Sequence, residues 1–107
     1  MHKTIIGLVE TVDIGGKKFK ARIDTGAGRS SLDKDIAEKL NLGPVIKNVK
    51  VRSVHGKSER PVIKAQIKLG DQELTATFSL ANRNEMEHPV LIGRNILKKG
   101  FLIDPQP

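Results

Sequence analysis

The chain has 107 residues, 37% of them hydrophobic, and carries 19 lysines and arginines against 12 aspartates and glutamates. This size predicts a single domain over residues 1–107, and the low hydrophobic share suggests that a second copy of the chain completes its core. The sequence has no cysteine, which excludes disulfides and thiolate chemistry, and no apolar run long enough to cross a bilayer. Charge interrupts its first ten residues too early for a signal peptide, so we expect a cytoplasmic protein.

Alternating apolar and polar residues predict three half-buried strands. They are KKFKARI at 17–23, VIKAQIKL at 62–69 and ELTATFSLA at 73–81. Turn signals lie between them, with DIGG at 13–16 and GD at 70–71. The pattern predicts antiparallel hairpins and an all-β fold.

Helical patterns are confined to two short segments. In LDKDIAEKL, Leu32, Ile36 and Leu40 recur every four residues, and Asp33 is expected to cap the helix. The second segment is GRNILKKG at 93–100, which Gly100 is expected to close in the C′ position. We therefore expect a small β-barrel with two short helices.

Two motifs give the chain a resemblance to a known family. IDTGAG at 23–28 follows a predicted strand, and HPVLIGRNILKKGFLIDP at 88–105 supplies an apolar pair, glycine, a short helix and a strand. Together they resemble the retropepsin-like aspartic proteases, where D-T/S-G-A carries the catalytic aspartate. The runs KTIIGLVETV, ERPVIKAQIKLG and NRNEMEHPVLIGRNIL are similar to the RimB-like branch, whose members are also labelled ATP-dependent zinc proteases.

The resemblance implies a retropepsin-like (acid protease) β-barrel with a flap hairpin and one or two short helices, and catalysis by Asp24, Thr25 and Gly26. One DTG per chain supplies half a site, so a homodimer would pair Asp24 with its symmetry mate, and the monomer would be inert. Two carboxyls at hydrogen-bonding distance share one proton, so the pair can act as base and acid. Without the second motif, Asp24 reads as a turn residue before glycine.

The same resemblance implies where a peptide substrate binds. The segment VRSVHGKSERP at 51–61 occupies the position of the flap, which closes over the peptide. The expected substrate-binding residues are Ala27, Arg29, Val54, His55, Gly56, Lys57 and Ile92. FLID at 101–104 is expected to add strands to an interface sheet, since a free apolar edge strand invites aggregation.

One departure from the viral relatives concerns the dimer. Those relatives usually carry an acidic residue after DTGA, which pairs with the arginine of GRN, whereas this chain has Gly28 there. We therefore expect Arg94 to lack that partner. Arg29, with Lys57 and Arg60 near the flap, would favour substrate carboxylates. The resemblance implies glutamate tails, added to a ribosomal protein by a partner ligase, as substrate.

Metal and cofactor signals are weak. His2, His55 and His88 are far apart, without H-E-x-x-H spacing, and no P-loop occurs, so we expect neither metal nor nucleotide cofactor. Two alternatives to a peptidase stay open. One is a catalytically silent dimeric binding module for acidic peptides or ribosomal components. The other is a basic RNA-associated barrel, although the three phenylalanines lie in apolar stretches and offer bases no stacking platform, so nucleic acid is not expected as a direct ligand.

Overall fold

The computed structural model describes residues 2–53 and 56–106. The strands in this part of the chain are, in order, β1 (Thr4–Ile6), β2 (Val9–Ile14), β3 (Lys17–Ile23), β4 (Ser30–Asp33), β5 (Val45–Ser53), β6 (Gly56–Leu69), β7 (Gln72–Ala81), β8 (Val90–Ile92) and β9 (Phe101–Ile103). Helix α1 (Lys34–Lys39) follows β4, and helix α2 (Arg94–Leu97) follows β8. Neither these helices nor any other helix of the described residues is long and apolar enough to cross a membrane.

Six strands close into a barrel. Their order is β2, β3, β8, β4, β7 and β6, and β6 pairs back with β2. Strand β5 extends the sheet beyond the barrel by pairing with β6. The interior holds apolar side chains from all six barrel strands and both helices, the largest fully buried ones being Phe78, Ile14, Leu32, Ile63, Leu69, Ile92 and Ile96. The expected small all-β retropepsin-like barrel is confirmed.

The three strands predicted from alternation are present as β3, β6 and β7. In β3, Ala21 and Ile23 are buried while Arg22 is exposed. The β2–β3 turn places Gly15 and Gly16 at φ of +60° and +86°, which glycine adopts without a steric penalty. Burial of one face of each strand on the barrel interior explains why the period-two pattern was informative.

Asp33 is the N-cap residue of α1, as expected, but the ends of both helices differ from the prediction in detail. Leu32 belongs to β4, and Asp33 makes no capping bond to α1, because its Oδ1 accepts the backbone N–H of Arg83 at 2.9 Å. Helix α2 ends at Leu97 with Lys98 as its C-cap, so Gly100, at φ +109°, lies one residue beyond the C′ position. At α1 a tertiary hydrogen bond occupies the Asp33 carboxylate, and after α2 the chain turns so that Gly100 lies one residue later than the local pattern predicted.

The connection between β3 and β4 is what positions the candidate site. Strand β8 lies between them, parallel to β3 and antiparallel to β4. The chain must therefore pass over one end of β8 to go from β3 to β4. Residues 24–29, which contain the DTGAG motif, form this connection.

Strand β9 lies beside β1 of its own chain. The two strands are parallel and in register, with Ile5 opposite Leu102, and these side chains are 67% and 52% exposed. The strand expected at FLID is present. Its addition to a partner's strands stays a prediction, and the exposed pair Ile5 and Leu102 supplies an apolar surface for it.

A polar cluster joins β1 to the turn between β6 and β7. The Thr4 hydroxyl donates to Asp71, whose other carboxylate oxygen lies 2.9 Å from His2 Nε2. Gln72 Nε2 donates to Thr4 Oγ1 at 3.0 Å and to the Gly100 carbonyl at 2.8 Å. The hydrogen bond from Thr4, and then the one from His2, lowers the pKa of Asp71 below its usual 3.8.

This pKa makes the contribution of Asp71 to stability depend on pH. A carboxyl whose pKa is lower in the folded chain stabilises it above the unfolded pKa, and the contribution is lost as the pH falls through the folded pKa. We expect the difference in unfolding free energy between wild type and Asp71→Asn to be fully present near pH 5 and to shrink below about pH 4. Urea unfolding across this range measures it, with Glu85→Gln as the control. A difference that does not change with pH would contradict the assignment.

Candidate active site

Asp24 follows the last residue of β3 and is half-buried. Its backbone N–H donates to the carbonyl of Ile92 in β8 at 2.9 Å, which fixes the start of the loop. The N–H of Gly26 donates to Asp24 Oδ1 at 2.9 Å. This is the Asx-turn bond that the sequence suggested. The same bond orients the carboxylate, so the turn role and a chemical role are compatible.

Arg94, the first residue of α2, holds the same loop. Its Nη1 donates to the Thr25 carbonyl at 2.8 Å, and a Cβ at Gly28 would lie 3.4 Å from its Nη2. Among the described residues the hydrogen-bond partner of the Arg94 guanidinium is this backbone carbonyl, and the guanidinium forms no ion pair with a carboxylate. Arg94 was expected to lack the acidic partner of the viral relatives, and its guanidinium instead holds the loop of its own chain.

A hydrogen-bond network beneath the loop was not predicted. Ser30 Oγ accepts the N–H of Gly93 at 2.9 Å and donates to Asn95 Oδ1 at 2.7 Å. Asn95 Nδ2 in turn donates to the Thr77 carbonyl in β7 at 3.1 Å. Ser30 is fully buried, and the network joins β4, α2 and β7 under Asp24. A serine directly after the loop gave no signal of this, because its partners are more than 40 residues away in the sequence.

Gly93 lies where the loop and α2 touch. A Cβ built there would be 2.5 Å from the Arg29 carbonyl oxygen and 2.8 Å from that of Ala27, both backbone atoms that cannot rotate away. The N–H of Arg94 donates to the Ala27 carbonyl at 2.8 Å, so the same contact holds the loop. Glycine is therefore required for the loop to approach the helix so closely.

We expect Gly93→Ala to destabilise the fold by about 2 kcal/mol or more, because backbone atoms must shift to admit the methyl group. Gly7→Ala is the matched control, since its Cβ would meet the Glu10 carboxylate at 3.4 Å, an ordinary contact with the end of a side chain. Urea unfolding monitored by far-UV circular dichroism gives both values. Equal stabilities of the two variants would contradict this account.

The predicted substrate-binding residues fall into three groups. Ala27 and Arg29 lie in the loop beside Asp24, half-buried and exposed respectively. The Ile92 side chain is fully buried in the core, and this residue reaches the site through its carbonyl oxygen. Gly56 and Lys57 begin β6, in a hairpin where Ser53 of β5 pairs with Gly56. Val54 and His55 lie outside the described residues. The hairpin is present where a flap was expected, and its closing over a peptide stays a prediction.

The described residues do not fit a zinc site. In residues 2–53 and 56–106 no group of three or more histidines and carboxylates is arranged to hold a metal ion. His2 lies against Asp71, and the carbonyl of His88 accepts a bond from Arg83 Nε. We derive no step through a metal.

Comparisons with known proteins agree with this architecture. The family model described as "RimB-like: Retropepsin-like aspartic endopeptidase RimB" matches residues 33–107. A curated relative from Parasynechococcus marenigrum (strain WH8102), "Probable alpha-L-glutamate ligase", is 29% identical over 133 residues, covering 98% of this chain and 28% of that protein. A crystal structure of a protein of unknown function from Legionella pneumophila is 27% identical, with a TM-score of 0.69 over 95% of this chain and 93% of the other. This chain thus spans little more than a quarter of the curated relative.

Proposed function

The chain belongs to the RimB-like family of retropepsin-like aspartic endopeptidases, and from this premise we propose that it is a homodimeric aspartic peptidase that trims acidic, glutamate-rich tails. The observation that carries the proposal is the position of Asp24. It lies half-buried in a loop held from below by β8 and α2, with its carboxylate oriented by the Gly26 N–H. The matched region begins after this loop, so the identity of the catalytic residue rests on the motif and this geometry.

The dimer follows from the number of carboxylates. Within the described residues, the Asp24 carboxylate accepts a hydrogen bond from the Gly26 N–H, and no second acid is hydrogen-bonded to it. Hydrolysis of an amide by carboxyl groups alone requires one base and one acid. The second carboxyl is then Asp24 of another copy, and Thr25 hydrogen-bonds across the two-fold axis. The exposed Ile5 and Leu102 give such a dimer an apolar surface to bury.

The two carboxyls share one proton, because two carboxyls within hydrogen-bonding distance of each other cannot both ionise. The ionised member takes a proton from water as the oxygen attacks the peptide carbonyl carbon. The protonated member gives its proton to the leaving amine nitrogen when the C–N bond breaks. The pair ends with one proton, as it began, so the cycle needs no cofactor.

The substrate class is supported by charge and by a relative. The net charge of +7 favours acidic peptides. The curated relative is named a glutamate ligase, and this chain matches 28% of its length. A ligase that adds glutamates makes the kind of tail that an accompanying peptidase would remove. We therefore propose polyglutamate tails as substrate and the cytoplasm as the site of action.

The proposal is tested by incubating the protein with a peptide that ends in several glutamates, between about pH 4 and pH 8. Mass spectrometry of the products should reveal shortened tails, in the same amount with and without a chelator. Tight binding without shortening at any pH would overturn the peptidase and favour the dimeric binding module. Loss of shortening with the chelator would overturn the carboxyl mechanism.

A further inference from the structure

A cavity of about 320 Å³ lies next to the candidate catalytic loop. It is lined by Leu8, Val9, Arg22, Ile23, Arg83, Met86, Glu87 and His88. Arg22 and Ile23 are the last two residues of β3 and directly precede Asp24, so the cavity borders the start of the loop that carries Asp24. Under the proposed function, a side chain in this cavity would therefore belong to a substrate residue close to the peptide bond that is hydrolysed at Asp24.

Arg83 brings a buried guanidinium to this cavity. Arg83 is 9% exposed, and its Nε donates to the His88 carbonyl at 3.1 Å. In the described part of the chain, none of its hydrogen bonds uses the two terminal nitrogens, and it forms no ion pair. The pKa of Arg83 is lowered, first by burial and then by the charges of Arg22 and Arg60, while Asp33 acts in the opposite direction. Arg22 and Arg60 thus both lie within electrostatic range of Arg83.

Such an arrangement is unfavourable in the empty protein. A mostly buried guanidinium with two positive neighbours, only partly offset by Asp33, gains when an anion enters and supplies hydrogen-bond acceptors to its terminal nitrogens. Glu87 also lines the cavity, yet it is exposed and makes no ion pair with an arginine among the described residues. The Glu87 carboxylate therefore leaves the guanidinium groups of Arg22 and Arg83 available to a ligand.

The rest of the wall is apolar. Leu8, Val9 and Met86 are 53%, 46% and 55% exposed, and their clustering at one cavity is typical of a binding surface. An occupant with a short hydrocarbon stem and a carboxylate end would contact both kinds of surface. Glutamate has this form, and aspartate has it with one methylene fewer.

We propose that Arg22 and Arg83 form a subsite that binds the side-chain carboxylate of a substrate residue next to the cleaved bond, with Arg60 strengthening the positive potential. Arg29 and Lys57, which the sequence suggested for this role, lie outside the wall of this cavity as the described residues form it. The position of the subsite relative to the cleaved bond rests on the proposed function, whereas its preference for a carboxylate does not.

The test compares a peptide ending in glutamates with the same peptide ending in glutamines. Arg22→Met and Arg83→Met each remove one charge from the cavity. Lys20→Met is the matched control, because Lys20 lies two residues earlier on the same exposed face of β3 and is outside the cavity wall formed by the described residues. Binding is measured by fluorescence anisotropy in the Asp24→Asn background, and kcat/KM is measured with Asp24 present. Circular dichroism checks folding, and Arg22→Met, at an exposed position, decides the matter if Arg83→Met does not fold.

We expect wild type and Lys20→Met to prefer glutamate over glutamine, and each arginine variant to reduce that preference about tenfold or more. An unchanged preference in a folded Arg22→Met would overturn the subsite, even if the peptide is cleaved and the proposed function holds. Loss of preferential binding in Arg22→Met would support the subsite even if wild type cleaves neither peptide and the proposed function fails.

Discussion

Replacing Asp24 by asparagine is expected to reduce cleavage of a glutamate-tailed peptide by about 10³-fold. Asparagine keeps the shape of the side chain, and its Oδ1 can still accept the Gly26 N–H that orients Asp24. It cannot share a proton with a second carboxyl, so neither the base nor the acid is available in its place. The loss should therefore lie in kcat, while peptide binding changes little.

Asp35→Asn is the matched control for this experiment. Asp35 is an exposed carboxylate in the first turn of α1, away from the loop that carries Asp24. Its replacement should leave cleavage close to that of wild type. Product formation is followed by mass spectrometry over the same pH range for all three proteins. Cleavage by Asp24→Asn at the wild-type rate would exclude Asp24 from the chemistry.

The strands could be predicted because their signals are local. Buried residues recur at every second position in β3, β6 and β7. Gly15 and Gly16 supply the positive φ angles that the turn between β2 and β3 requires. These patterns predicted a small β-barrel, but they did not specify the order of its strands. Strand alternation alone does not specify that β8 lies between β3 and β4, and this placement depends on contacts far apart in the sequence.

The residues that support the site could not be predicted for the same reason. Asp33 looked like a helix cap, but it accepts a bond from Arg83, 50 residues later. Ser30 looked like an ordinary strand residue, yet it links Gly93 and Asn95. A polar side chain carries no sequence signal of a distant partner, whereas an apolar side chain reports its burial through periodicity.

Arg83 illustrates the limit for charged residues. In the sequence it is one of 19 basic residues, and a solvated surface position is the ordinary expectation for any of them. Only the packing of β2, β3 and the segment before β8 encloses it beside Arg22. The net charge of +7 predicts acidic partners in general, but it could not single out which arginines are desolvated.

Mixing wild type with an excess of Asp24→Asn chains tests whether two copies build one site. If chains assort at random in dimers, a ninefold excess of variant leaves each wild-type chain with a wild-type partner about one time in ten. We expect activity per wild-type chain to fall about tenfold, because a mixed dimer has one carboxyl and cannot share a proton across the axis. The two proteins are unfolded and refolded together so that their chains exchange.

The control replaces Asp24→Asn with the same excess of Asp35→Asn, which retains Asp24. Activity per wild-type chain should then not fall, because every dimer has two Asp24 carboxyls. The control also removes dilution and peptide competition as explanations, since the total protein concentration is equal. If the excess of Asp24→Asn left activity per wild-type chain unchanged, each chain would carry a complete site, and the second proton-transfer group would have to be sought within one barrel.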